Sequence, residues 1–120
     1  MSYVLVCGGR DYDNRAHVFA ELDQRAEEIQ LVIDGGCPTG ADAHARAWAD
    51  LRGVASVTFN AAWTFYKLAA VPIRNGWMLH FIKPDFVLAF PGGRGTANMV
   101  SRAEAASIPV TRPSGGSRER

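Results

Sequence analysis

Three short apolar runs constrain the fold of this chain most, because each is followed at once by a glycine loop and then by a helical pattern. The runs are Tyr3 to Cys7, Leu31 to Ile33 and Phe86 to Phe90. A short run that is apolar at every position is typical of a strand buried on both faces, as in a parallel sheet. The order strand, loop, helix therefore predicts right-handed βαβ units and a parallel sheet.

The remaining apolar patterns complete an α/β fold with a mostly parallel sheet of about five strands. Apolar residues at helical spacing predict helices at 14–29, 41–52, 72–82 and 96–107. Residues 64–71 are ambiguous, and further strands are expected at 55–59 and 108–110. We expect one folded domain over residues 1–112, followed by a disordered Gly/Ser/Arg tail at 113–120.

All three glycine loops follow a strand and precede a helix, so they should meet at the carboxyl edge of the sheet. The first backbone amides of a helix have no intrahelical partner, and with the helix dipole they form an anion site. Arg94 and Thr96 would add a cation and a hydroxyl to the third loop. The pattern therefore predicts phosphate binding, although a plain strand-to-helix turn is the alternative. The candidate ligand-binding residues of the loops are Gly8, Gly9, Arg10, Asp34, Gly35, Gly36, Gly92, Gly93, Arg94, Gly95 and Thr96.

Several of these positions, and some neighbours, allow two interpretations. Arg10 could contact a ligand or pair with Asp11. Asp34 could bind a ribose hydroxyl or anchor its own loop through side-chain–backbone bonds. Asp42 is expected as a helix cap, and Trp63 either stacks on a base or packs in the ordinary way.

Composition excludes several classes of partner. The net charge of +1 gives no overall field that would recruit nucleic acid or a membrane surface. No apolar run approaches the ~20 residues of a membrane span, and the amino terminus lacks the features of a signal peptide. Two cysteines form no disulfide framework, which favours a cytoplasmic setting. The three histidines show no ligand spacing, so we expect neither a metal site nor a cofactor.

Taken together, the loop motifs resemble the SLOG superfamily, which is named for the DNA-processing protein Smf/DprA and the Lonely Guy enzymes. The likeness is nearest to the small YspA-like proteins and covers residues 3 to about 110. It implies a Rossmann-like three-layer fold and a pocket for nucleotides or nucleotide-derived molecules. The motifs that carry it are Cys7-Gly8-Gly9-Arg10, Asp34-Gly35-Gly36, Thr39-Gly40-Ala41-Asp42, Arg74-Asn75 with Met78, and Pro91-Gly92-Gly93-Arg94-Gly95-Thr96.

The resemblance also adds Arg74 and Asn75 to the candidate ligand-binding residues. Lonely Guy enzymes split a base from a nucleoside monophosphate with an arginine, matched here by Arg74, and a glutamate, matched here by Met99. Because methionine cannot accept a proton, the catalytic residue is unknown. On this alignment, Met99→Glu is expected to return a carboxylate to the pocket.

The leading hypothesis is therefore a sensor or sequestering protein for a nucleotide-derived small molecule. An N-glycosidase that uses Asp11, Asp34 or Asp42 as its acid is the first alternative. Single-stranded DNA binding through the tail residues Arg112, Arg118 and Arg120 is the second, and the near-neutral charge argues against it. An apolar helix face with Trp77, Leu79 and Phe81 is explained equally by a homo-oligomer contact and by core packing.

Overall fold

Strands and helices alternate along residues 1–113, which the computed structural model describes. A 3₁₀ turn at Lys67–Ala69 precedes the helix Ala70–Trp77, and a wider π-type turn at Met78–Ile82 follows it. The expected disordered tail lies outside the described residues, apart from Pro113. The elements are β1 (Ser2–Cys7), α1 (Arg15–Asp23), β2 (Ile29–Asp34), α2 (Gly40–Arg52), β3 (Ala55–Thr58), α3 (Trp63–Tyr66), α4 (Ala70–Trp77), β4 (Phe86–Ala89), α5 (Arg94–Ala105) and β5 (Val110–Thr111).

The five strands form one sheet in the order β3-β2-β1-β4-β5. Every neighbouring pair is parallel, with Leu5 opposite Ile33 of β2 and opposite Val87 of β4. This arrangement confirms the predicted Rossmann-like α/β fold with a five-strand sheet, and the sheet is parallel throughout its described strands.

The core lies in two apolar layers, one on each face of the sheet. Val4 and Val6 of β1 pack with Trp48 of α2 in the first layer, which α1 also covers. Leu5 of β1 packs with Met99 of α5 in the second layer, which also holds Met78 after α4. Because successive residues of a strand point to opposite faces, a continuous apolar run supplies both layers.

The first predicted helix, 14–29, is too long. Helix α1 ends at Asp23, and hydrogen-bonded turns occupy residues 24–28. Ile29 is buried and pairs with Ser2 as the first residue of β2. Pairing with β1 has therefore placed Ile29 in a strand, although its spacing fits the period of the predicted helix.

The ambiguous stretch and the last elements also differ from prediction. Residues 63–69 form two short helical turns, so α4 begins at Ala70, slightly before the expected start at 72. Pro72 still lies in the first turn of α4, where its missing amide costs no hydrogen bond. Helix α5 begins at Arg94 instead of 96, and β5 covers Val110–Thr111 instead of 108–110.

The apolar face after α4 divides between packing and exposure. Leu79 packs against the second layer of the core, and the ring of Trp77 contacts that of Tyr66 at a centroid distance of 6.1 Å. Phe81 is 63% exposed. Core packing thus explains the apolar side chain of Leu79, and contact with the Tyr66 ring explains that of Trp77. A homo-oligomer contact remains a prediction for Phe81.

Two glycines of left-handed conformation begin and end α2. Gly40 has a φ of 75°, and a Cβ there would meet the carbonyl oxygen of Gly9 and lie 2.7 Å from the Cα of Arg10. Gly53 has a φ of 69° at the carboxyl end of the helix, with open space around it. Both positions favour glycine, but only Gly40 also needs the missing side chain for packing.

We therefore expect Gly40→Ala to destabilise the protein much more than Gly53→Ala. The left-handed backbone alone costs about 1 kcal/mol with alanine, and the overlap with the first loop should raise the Gly40 cost to about 3 kcal/mol. Urea unfolding followed by circular dichroism measures both. Equal losses would contradict the close packing of the first loop on α2.

Candidate functional site

The carboxyl ends of β1 and β4 lie side by side, and the chain leaves them towards opposite faces of the sheet. After β1 it runs to α1, and after β4 it runs to α5. In doubly wound folds such a topological switch point opens the crevice in which ligands bind. The two loops touch here, because the amide of Gly9 donates to the carbonyl of Pro91 at 2.8 Å.

A cavity of about 1130 Å³ opens at this edge, and we call it the switch-point cavity. Its volume slightly exceeds the range of roughly 300–1,000 Å³ that is typical of small-molecule sites. The structure brings together all the candidate ligand-binding residues except Asp34. Those that line the cavity are Gly8, Gly9, Arg10, Gly35, Gly36, Arg74, Asn75, Gly92, Gly93, Arg94, Gly95 and Thr96.

The third glycine loop presents free backbone amides at the start of α5. Gly93 is the N-cap residue, and no side chain caps the helix. The amide of Ala97 donates to the carbonyl of Gly93 at 3.0 Å. Within residues 1–113, the amides of Arg94, Gly95 and Thr96 have no hydrogen-bond partner. This loop has the open amides that an anion site requires.

The second glycine loop, in contrast, is filled by the carboxylates of the chain itself. The amide of Gly36 donates to Asp34 at 2.7 Å. The amides of Gly35 and Cys37 donate to the same oxygen of Asp42, at 3.2 and 3.3 Å. The expectation that this loop offers its amides to a phosphate is therefore wrong, because internal anions already occupy them.

Asp34 is fully buried and anchors its loop. Besides the Gly36 amide, its carboxylate accepts hydrogen bonds from Arg46 at 2.6 Å and from the hydroxyl of Thr58 at 3.0 Å. Of the two interpretations of Asp34, the contacts match loop anchoring. The residue does not line the cavity, so a role in ribose binding has no geometric support.

Asp42 lines the cavity instead, although the sequence pointed to a helix cap. It lies in the first turn of α2, but its side chain bonds backward to the second loop. Its other carboxylate oxygen, Oδ1, has no hydrogen-bond partner among the described residues. Burial, with the nearby Asp34 carboxylate as the second cause, raises the pKa of Asp42 to about 6. A carboxylate with a free oxygen and a pKa near neutrality is suited to acid–base chemistry.

Arg74 of α4 reaches across the cavity to the second loop. Its guanidinium donates to the carbonyl of Gly35 and, at 2.9 Å, to the side-chain oxygen of Asn75. Burial lowers the pKa of Arg74, while the carboxylates of Asp42 and Asp34 oppose that shift. The terminal nitrogen Nη2 makes no hydrogen bond within the described chain.

Asn75 is buried and has protein partners for both ends of its amide. Its oxygen accepts from Arg74, and its nitrogen donates to the carbonyl of Gly95 and to the side chain of Asn98, both at 3.1 Å. These contacts tie α4 to the start of α5. Asn75 therefore orients the third loop and Arg74, and its predicted ligand contact stays a prediction.

Arg10 and Arg94 are exposed side chains at the rim of the cavity. Over residues 1–113, neither forms an ion pair, so the alternative pairing of Arg10 with Asp11 is not observed. Two unpaired arginines beside the open amides of α5 add positive charge where an anion would lie.

Trp63 lies at the mouth of the same cavity with its side chain half exposed. It is not part of either core layer, so ordinary packing does not explain it. Leu68 lines the cavity nearby, which no sequence signal indicated. Cys7 also lines it as a neutral thiol, because burial raises the pKa of Cys7 to about 12.

Met99 does not lie in the cavity. It is 1% exposed and belongs to the second core layer, with Leu5 and Val87. The expectation that Met99→Glu returns a carboxylate to the pocket is therefore wrong. Glutamate at this position would be buried in an apolar layer without a partner, which is strongly unfavourable.

The described residues contain neither a candidate metal site nor a candidate membrane span. No group of three or more His, Cys, Asp or Glu residues among positions 1–113 is arranged to hold a metal ion. None of the described helices combines the length and apolarity that crossing a membrane requires. Of the tail arginines proposed for DNA binding, Arg118 and Arg120 lie outside the described residues.

A parallel sheet with a ligand-sized cavity at its topological switch point defines a Rossmann-like α/β protein. The model of the YspA, cpYpsA-related SLOG family, abbreviated YAcAr, matches residues 2–66. The chain belongs to this family, which confirms the resemblance found in its loop motifs. No curated protein sequence matches the chain significantly.

The chain is similar to solved structures at low sequence identity. The Moco carrier protein from Chlamydomonas reinhardtii aligns with a TM-score of 0.62 at 16% identity, over 92% of this chain and 75% of that one. Phosphoribosylglycinamide formyltransferase from Brucella melitensis aligns at 0.45 with 21% identity, over 78% of this chain and 47% of that one. The first of these similarities supports the fold and nothing finer.

The raised pKa of Asp42 predicts a specific dependence of stability on pH. An acid whose pKa is raised from 3.8 to about 6 by folding stabilises the protein fully below pH 3.8, and this contribution is lost as pH rises through 6. Asp42→Asn removes this titrating group. As pH rises from about 4 to about 7, the free energy of unfolding of the variant should therefore increase by about 3 kcal/mol relative to that of wild type.

Urea unfolding at several pH values measures this difference. Asp50→Asn is the matched control, because Asp50 is an exposed residue of the same helix, and its stability curve should run parallel to that of wild type. A parallel curve for Asp42→Asn would show that Asp42 titrates normally.

Proposed function

We propose that this protein binds a nucleotide or nucleotide-derived small molecule in the switch-point cavity, as a sensor or sequestering protein. The observation that carries the proposal is the uncapped start of α5. Three residues that line a cavity large enough for a nucleotide have backbone amides with no partner in the described part of the chain, and a phosphate group would supply the acceptors they lack.

The arginines around the cavity support an anionic ligand. Among residues 1–113, Arg94 and Arg10 form no ion pair at the rim, and the Nη2 atom of Arg74 makes no hydrogen bond deeper inside. Guanidinium groups bind phosphate oxygens through charge-assisted hydrogen bonds. The neighbour of similar fold is, by its name, a carrier of Moco, which is consistent with a small-molecule role for such a cavity.

The other side of the cavity fits the non-phosphate part of a nucleotide. Asp42 offers an acceptor oxygen to a hydroxyl or amino group, and it lies on the β2 side, where the loop amides are already occupied. A ligand with a phosphate at one end and hydrogen-bond donors at the other therefore matches the charges of this cavity.

The rim arginine Arg94 provides the cleanest test of phosphate binding. Calorimetry with AMP, ADP-ribose and cyclic AMP should detect binding, and Arg94→Ala should weaken the best of these about tenfold through loss of one charge-assisted hydrogen bond. Stability should not change, because Arg94 is exposed and has no ion pair within the described residues.

Arg102→Ala is the matched control for that experiment. Arg102 is an exposed arginine of the same helix, bonds to Asn98, and does not line the cavity. Its replacement should leave affinity within about twofold of wild type. Binding weaker than millimolar for a broad panel of nucleotides would overturn the proposed function.

A second candidate function, an N-glycosidase, is favoured by the position of Asp42. Of the three carboxylates considered, Asp34 has no access to the cavity and Asp11 lies exposed at its rim. Only Asp42 combines burial, access to the cavity and a free oxygen. Its carboxylate would take a proton from the water that attacks the ribose C1′, and the departing base would take up that proton as the C1′–N bond breaks.

This candidate predicts slow release of free base from a nucleoside monophosphate, measured by chromatography. The rate should increase as pH rises through about 6, because the ionised form of Asp42 is the base. Asp42→Asn should lower the rate of base release about a hundredfold or more, whereas Asp50→Asn should leave the rate unchanged. If the wild-type protein releases no base on prolonged incubation, this candidate fails and the binding function is unaffected.

A further inference from the structure

The segment between β3 and α4 carries an unusual density of exposed apolar side chains. Phe65 is 82% exposed, Leu68 is 93% exposed and Trp63 is 52% exposed. None of the residues in α3 or in the following 3₁₀ turn is buried. Large apolar side chains that a fold leaves together in solvent mark a binding surface.

Two of these side chains belong to the switch-point cavity. Trp63 and Leu68 line it, whereas Phe65, between them in sequence, does not. The chain turns between the two positions at Lys67, whose φ of 54° is unfavourable for a residue other than glycine. The unfavourable backbone conformation at Lys67 therefore lies between two residues that line the same cavity, which is where functional sites often retain strain.

We propose that Trp63 and Leu68 form the subsite for a planar aromatic base, so that the ligand of this cavity is a nucleotide and not a simple sugar phosphate. The inference rests on the proposed function for the phosphate end. It adds that the base lies against the indole of Trp63, with Leu68 covering the ring from a second direction.

The contrast between the polar and the apolar residues that line the cavity supports this assignment. Open amides lie at the start of α5 and arginines line the same cavity, whereas Trp63 and Leu68 line it with apolar side chains. A sugar phosphate would bind the polar groups and leave these two side chains in water. Every nucleobase has an apolar face that stacks on an aromatic side chain, so a nucleotide would use both kinds of residue.

Calorimetry with paired probes tests the subsite. Wild-type protein is titrated with the four common nucleoside monophosphates and with ribose 5-phosphate, which has the sugar and phosphate but no base. We expect the best nucleotide to bind at least about tenfold more tightly than ribose 5-phosphate, because only the nucleotide stacks on Trp63. Trp63→Ala should remove this preference without changing affinity for ribose 5-phosphate, and Trp63→Phe should keep most of it.

Phe65→Ala is the matched control, because Phe65 is an exposed aromatic residue of the same short helix outside the cavity. It should leave both affinities unchanged. Equal affinity of wild type for nucleotide and ribose 5-phosphate would overturn the base subsite but leave the phosphate site intact. Equal weakening of both probes by Trp63→Ala, or loss of the preference in Phe65→Ala, would also overturn it. Absence of binding for every probe would instead remove the proposed function together with the subsite.

Discussion

The contact between the first and third glycine loops is the constraint on which the rest of the structure depends. Gly9 donates its amide to Pro91, and the start of α2 at Gly40 packs against the carbonyl of Gly9. A side chain at Gly92 would collide with the amide of Gly9, 2.6 Å away. Backbone thus packs on backbone at the ends of β1 and β4, which only glycine permits. The switch-point cavity keeps its shape because these loops brace each other.

The glycine loops look alike in sequence but differ in what occupies their amides. Asp34 and Asp42 fill the second loop, so its glycines serve the internal architecture. The first turn of α5, in contrast, contains no acidic residue, and no side chain of the described residues caps this helix. The family match spans residues 2–66 and therefore covers the filled loop but not the open one. The case for an anion at α5 consequently rests on the geometry of this chain.

Much of the fold could be predicted from the sequence, because a parallel sheet needs continuous apolar runs and glycine loops follow them in a fixed order. The separate roles of Asp34 and Asp42 could not, since both are acids of the same glycine loop and only tertiary contacts of Asp34 with Arg46 and Thr58 turn it away from the cavity. The prediction that position 99 faces the pocket was wrong for a related reason. A motif position was carried over from enzymes, but here its side chain points into the core. Leu68 left no signal, because an exposed leucine is common on any surface.

The two charged groups deepest in the cavity also depend on each other. The Asp42 carboxylate opposes the effect of burial on the pKa of Arg74, and the Arg74 guanidinium opposes the rise in the pKa of Asp42. A phosphate placed near Arg74 would add negative charge beside Asp42 and favour its protonated form. A ligand whose phosphate binds the open amides of α5 and whose hydrogen-bond donor meets Asp42 avoids that penalty, because its phosphate then lies on the β4 side of the cavity while Asp42 is bonded to the loop on the β2 side. The charges of the cavity would therefore favour one orientation of a ligand that carries a phosphate at one end.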